Sequence, residues 1–337
     1  MIQPEPGPII GPLSTFFGWI LDFLYNFVYM ITPGELHTLG ISIILFTLVS
    51  KTLTFPLTYK SQKSMQAMQK IQPEMDKIKK KYENSKSPDD QKKMGQEINK
   101  LYAENKVNPL MGCLPLFIQF PIFMSMFHIM NQPYRFVNRL GEIYTVLAET
   151  IIASFNPDAA GIFQNPESIV TLTELSYGRV PPGMEIDILN PEYLRRLLAR
   201  FNPYDWDVFM NSVAPDAVTA IQPYLDSKVA TEHFMGITLV ENVGFTFPAV
   251  LIPVLCVIFT FLTGYMTSKN QPKPKDTAQK IQQQMMLYMM PAMMGFITFG
   301  MPAGVGLYWA TSSGLQILQQ YFTGKRVKAK EAAEAAS

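Results

Sequence analysis

Cysteine and histidine are scarce, with two and three respectively among 337 residues. Cys113 and Cys256 both lie in apolar stretches, which excludes a disulfide framework. His37, His128 and His233 are too scattered for a metal site or a catalytic triad, and no cofactor is expected. The chain has no glycine-rich phosphate loop, no HExxH and no GxSxG, so we read it as a non-enzyme without its own nucleotide-driven energy source. The first residues, MIQPEPGPIIG, lack the basic stretch of a secretory signal, and the whole chain is read as mature protein. Charge is sparse as well. Only 16% of residues are charged, against about a quarter in soluble proteins, while 48% are hydrophobic.

Long apolar runs take the place of charge. The spacing predicts five membrane spans, at residues 38–58, 109–130, 245–267, 285–299 and 305–323, because about 20 apolar residues cross a bilayer as a helix. The last two come from one uncharged run, broken at Gly300-Met-Pro-Ala-Gly304. Leu13 to Ile31 is long enough to span but carries Asp22 and many aromatics. It either spans or lies in the interface, and we favour the interfacial helix, within an extracytoplasmic N-terminus of residues 1–37.

The few charges are segregated. Lys60 to Asn108 holds 12 Lys and 7 Asp/Glu, whereas Asn131 to Val243 holds 7 Arg/Lys and 14 Asp/Glu. The positive-inside rule then puts segments 59–108, 268–284 and the basic tail 324–337 in the cytoplasm. The acidic insertion 131–244 and the turn 300–304 fall outside, with the N-terminus outside and the C-terminus inside a cytoplasmic membrane. In 59–108, the apolar seam Met68, Ile71, Met75, Ile78 and Tyr82 predicts one arm of a helical hairpin. Pro73 is expected to kink or restart that arm, Ser85 to Asp90 to form the turn, and Met94, Ile98 and Leu101 to line the return. Its lysines also suit anionic membrane lipids. The insertion reads as helical at Arg135–Ile152, Pro191–Phe201 and Pro215–Val229.

One residue breaks the pattern of the first span. Lys51 is the only basic residue between Ile41 and Leu57, and a charge at membrane depth costs at least about 2.5–3.5 kcal/mol. It either snorkels toward the headgroups or faces protein or water.

The string Asn108-Pro-Leu-Met-Gly-Cys-Leu-Pro-Leu-Phe-Ile-Gln-Phe-Pro resembles the signature of the YidC/Oxa/Alb membrane-protein insertases. Gly40–Thr58 resembles that family's first core helix, Gln72–Tyr82 its cytoplasmic hairpin, and Pro302–Gln320 its last helix. The resemblance implies an all-α polytopic fold: a five-helix transmembrane bundle with a cytoplasmic helical hairpin and an extracytoplasmic insertion. It implies a hydrophilic groove, open to cytoplasm and lipid and closed outside, with a positive residue at the position of Lys51. That residue is usually arginine; lysine keeps the charge but loses the planar five-donor fork.

Thr47, Ser50, Gln119, Ser125, Ser312 and Gln316 are candidate groove residues, or else ordinary helix–helix hydrogen-bonding groups. Tyr308 and Trp309 either contact substrate or anchor the outer interface. Of the 21 methionines, six fall between Met285 and Met294, where they serve packing or an adaptable surface. The function implied is insertion and folding of transmembrane helices, the alternative being a small-solute transporter or channel. Implied partners are nascent membrane proteins, membrane lipids, the ribosome and the Sec translocon; no DNA partner is expected. The acidic insertion and the missing transit peptide favour a bacterial over an organellar protein.

Overall fold

The computed structural model describes residues 7–8, 10–32, 37–83, 87–108, 111, 114–155, 165–177, 185–269 and 277–336. Cys113, most of the expected Ser85–Asp90 turn's first half and parts of the proline-rich string lie outside them. The described protein is mostly α-helical, as the sequence predicts, with one two-stranded antiparallel hairpin (β1 His233–Phe234, β2 Ile237–Thr238). Among the described residues, α2 (Thr38–Lys81) and α10 (Leu251–Lys269) are long and apolar enough to cross a membrane, and Met285–Phe299 is a shorter apolar run. The chain divides into two units, residues 1–47, 122–256 and 294–311, and residues 48–121, 257–293 and 312–337.

In the first unit, α1 (Ile10–Ile31) is apolar on both sides. Ser14, Gly18, Leu21, Tyr25 and Val28 form its buried face, and Phe16, Trp19, Phe23, Phe27 and Met30 are exposed on another. A water-facing helix would carry polar residues there. Gly18 is required where it stands, because an added Cβ would come within 2.5 Å of the Phe136 ring. The carboxylate of Asp22 accepts from the backbone N–H and the side-chain amide of Asn138 at 2.8 and 2.7 Å. The residue that argued against a simple span thus ties α1 to the start of α5 (Asn138–Ala153).

The insertion carries more helix than its periodicity suggests: α6 (Pro166–Ser176), α7 (Pro191–Leu198), α8 (Pro203–Ser212) and α9 (Pro215–Glu232) follow α5. Each of these four opens on proline, whose fixed φ and absent N–H suit the first helical position. Asn190 and Asn202 cap α7 and α8, the latter in a reciprocal capping box with Asp205. After the hairpin, residues 239–243 run beside residues 301–304: Ala303 N–H donates to the Glu241 carbonyl and Gly304 N–H to that of Leu239, both at 2.7 Å. Gly304 admits this approach, since a Cβ there would lie 2.7 Å from Met130 Sδ.

The insertion also buries an ion pair, Lys228 Nζ to Glu232 Oε2 at 2.7 Å, with side chains 4% and 0% exposed. Tyr144 donates its hydroxyl to Glu232 Oε1 at 2.6 Å, and the Lys228 ammonium lies 5.5 Å from the Trp206 ring. The Glu241 carboxyl is held above the usual carboxylate range, chiefly by burial, with Lys228 opposing and Glu232 adding to the shift. A raised folded-state value means the contribution to stability is present below the ordinary value of 4.5 and is lost as pH rises through the folded one. Glu241→Gln is therefore expected to melt higher than the parent at pH 7 and to match it near pH 4. Thermal unfolding at both pH values checks this.

In the second unit, α2 runs through Pro56 and Pro73 to Lys81, so the restart expected at Pro73 does not occur. The seam explains why: Ile71 and Met75 continue across the proline and pack with Leu101 and Val107, flanked by Met68, Ile78 and Ile98. Leu101 belongs to α3 (Pro88–Glu104), and Tyr102 on the same helix donates its hydroxyl to Met75 Sδ at 3.1 Å. The exposed Lys81–Glu97 pair at 2.7 Å is screened by solvent and adds little. Beyond α4 (Leu114–Asn131), the run expected at 285–299 opens with a π-helical turn, Met285–Met289, between α11 (Thr277–Gln284) and α12 (Met290–Phe299). The last helix, α13 (Ala303–Ala336), continues past the expected 305–323 because its end is rich in strong helix formers such as Ala, Glu and Lys.

Candidate functional site

Lys51 is half-buried on α2, and its Nζ lies 3.4 Å from Oε1 of Gln119 on α4. Both residues belong to the second unit. At that distance the contact is a weak hydrogen bond from cation to amide oxygen rather than an ion pair. An amide accepts without cancelling charge, so the ammonium keeps its positive field for an anion.

Around Lys51 the sequence places polar side chains at helical spacing. Lys51, Thr54, Thr58 and Ser61 recur at intervals of three, four and three, one stripe along α2. On α13, Ser312, Gln316, Gln319 and Thr323 recur at four, three and four. The stripes meet where Gln319 Nε2 donates to Thr58 Oγ1 at 2.8 Å, and Gln320 Nε2 reaches Thr267 Oγ1 of α10 at 3.4 Å. Ser61 donates to the carbonyl of Met111. The other faces are apolar and exposed, among them Leu53, Phe55, Phe117, Leu262, Leu318 and Phe322. Polar groups bonding inward with large apolar side chains outward is the reverse of a water-soluble unit, and suits a hydrocarbon solvent.

The other expected residues fall as follows. Ser50 and Ser312 are buried and Gln316 is half-buried, all in the second unit. Thr47, Ser125, Tyr308 and Trp309 belong to the first unit. Thr47 is fully buried and spends its hydroxyl proton on the Ile43 carbonyl at 2.7 Å. Ser125 is fully buried, and its hydroxyl has no partner among the described residues. Tyr308 is buried with its ring 6.2 Å from that of Phe46, and the half-exposed Trp309 meets Phe123 edge-on at 5.3 Å. Thr54, Thr58, Ser61, Gln319 and Gln320 were missed from sequence. Their signal was the three-four spacing through apolar helices, which is visible only when the polar residues are read as a stripe.

Among the described residues no group of His, Cys, Asp and Glu could hold a metal ion. The chemistry on offer is non-covalent: one cation, amides and hydroxyls set in an apolar surround.

The sequence model of the 60Kd inner membrane protein family matches residues 31–172 and 206–331. A protein of Oceanobacillus iheyensis named Membrane protein insertase YidC is 27% identical over 317 residues, covering 93% of this chain and 86% of that protein. One of the same name from Fusobacterium nucleatum subsp. nucleatum is 27% identical over 313 residues, covering 91% and 99%. Membrane protein insertase YidC 1 of Lactococcus lactis subsp. lactis is 26% identical over 296 residues, covering 88% and 72%.

Proposed function

Since the chain belongs to the 60Kd inner membrane protein family, we propose that it is a membrane protein insertase. It sits in the cell membrane, and its substrates are newly made membrane proteins, delivered to membrane lipid. It also serves as a folding chaperone for them. The names of its relatives favour insertion over the transport of small solutes. The observation that carries the mechanism is the pair of polar stripes on α2 and α13, joined at Thr58 and Gln319, within helices whose other faces are apolar.

In this reading five helices form the bundle, at 38–58, 109–130, 245–267, 285–299 and 305–323, with the N-terminus outside and the C-terminus inside. Segment 59–108 is a cytoplasmic helical hairpin; residues 131–244 lie outside. The stripes line a hydrophilic groove in the inner leaflet. Lys51 holds the acidic flank of an arriving helix there, with Ser50, Gln119, Ser312 and Gln316 of the same unit as the proposed lining; Thr47, Ser125, Tyr308 and Trp309 are the proposed substrate-contacting residues of the first unit. A wet groove shortens the dry path across a hydrocarbon core about 30 Å thick. The substrate's apolar residues then enter lipid down their own transfer free energy. The basic hairpin and tail face the ribosome, and the Sec translocon is a further partner.

Photo-crosslinking tests the path. A photoreactive residue at Gln316 or Gln319 is expected to form adducts with a stalled single-span substrate, and one at the exposed Tyr204 is not. Equal yields at all three positions would contradict the groove.

A further inference from the structure

The first unit contains a cavity of about 360 Å³ that the insertion mechanism does not use. It is lined by Thr15, Trp19 and Asp22 of α1, by His128 near the end of α4, by Arg135 and Phe136 after it, and by Asn138 at the start of α5. Its size lies within the usual range for small-ligand sites, roughly 300–1,000 Å³. Its chemistry is bipolar. Arg135 brings a guanidinium and His128 ring nitrogens, the donor set that suits a phosphate diester. Asp22 brings a carboxylate whose oxygens already accept from Asn138, fixing its position without neutralising it. Arg135 is itself positioned, its Nη1 donating to Gln132 Oε1 at 3.0 Å. A free anion has no use for the carboxylate, whereas a phosphate joined to an ammonium uses both ends.

The cavity also adjoins the apolar outer face of α1. Trp19 lines the cavity and is 68% exposed, on the same side of the helix as Phe16 and Phe23, which are 53% and 62% exposed. A polar pocket opening beside an aromatic, water-averse helix face matches a molecule with a charged head and hydrocarbon chains. Tryptophan at that junction is typical of the membrane–water boundary.

We propose that this cavity binds the headgroup of an aminophospholipid, the phosphate held by Arg135 and His128 and the ammonium by Asp22, with the acyl chains along Phe16, Trp19 and Phe23. The site shares no residue with the Lys51 stripe, and it stands or falls independently of the insertion reading. The test is native mass spectrometry of the delipidated full chain in detergent, titrated with dioleoylphosphatidylethanolamine. One molecule is expected to be retained. Arg135→Gln should weaken retention about tenfold, the loss of one charge-assisted hydrogen bond, whereas Arg139→Gln should not. Asp22→Asn should erase the preference over dioleoylphosphatidylcholine, whose ammonium has no N–H to donate. Thr15→Trp fills the cavity without touching the charged groups and should also abolish retention, which keeps the test sound should Arg135→Gln fold poorly. Equal retention of dioleoylglycerol, which lacks the phosphate, or undiminished retention by folded Thr15→Trp, would overturn the proposal. Displacement of the lipid by millimolar inorganic phosphate as readily as by soluble glycerophosphoethanolamine would overturn the lipid assignment and leave a simple anion site.

Discussion

Lys51→Ala is expected to lower insertion of a single-span substrate with an acidic flank about tenfold or more, while Lys51→Arg retains it. The Lys51 ammonium faces an amide oxygen at 3.4 Å, and among the described residues no carboxylate forms an ion pair with it. A charge-assisted hydrogen bond to a carboxylate is worth about 1.5–3 kcal/mol, or roughly 10–100-fold. Arginine restores that contact with a fork that binds carboxylate more specifically. A substrate whose flank is neutral serves as the internal control and should be indifferent to all three side chains. Purified variants in proteoliposomes, read by protease protection of the substrate, check this. Equal activity with the acidic flank would make Lys51 a residue that snorkels, and would shift the mechanism to hydration of the groove alone.

The second large effect lies in the insertion. Lys228→Met alone leaves Glu232 fully buried, still bonded to Tyr144 but without its cation. Breaking one side of such a pair costs about 3–5 kcal/mol, because the remaining charge has lost its solvent and its partner. Replacing both, Lys228→Met with Glu232→Gln, removes the orphaned charge and keeps an acceptor for the Tyr144 hydroxyl. The double variant is expected to recover most of the loss. Denaturant unfolding followed by Trp206 fluorescence suits the measurement, since that ring lies 5.5 Å from the ammonium. A single variant within about 1 kcal/mol of the parent would show the pair to be energetically idle.

How much of this was legible in the sequence depends on the range of the interaction. Local rules reach the start of α7, where Pro191 opens the expected helix and Asn190 caps it. Asn165-Pro166 and Asn202-Pro203 carry the same signal, and α6 and α8 open there. The helix does not restart at Pro73 because a proline's cost is local, whereas the seam of Ile71 and Met75 against Leu101 comes from a second helix. The polar stripe on α2 is readable from its spacing only when Lys51, Thr54, Thr58 and Ser61 are taken together. Lys51 and Gln119 were both singled out, but 68 residues separate them, and no periodicity announces their contact. Lys228 and Glu232 are an ordinary helical i, i+4 pair on paper. Their burial is decided by Tyr144 and Trp206, which reach them from other helices.

We propose above all an insertase that moves a single-span helix from water into lipid. Vesicles containing only the purified protein, mixed with a newly synthesised single-span substrate, put it to the test by protease protection. Protection well above that of protein-free vesicles is expected, without added nucleotide. Equal protection in the two, with the protein shown to be folded, would contradict it.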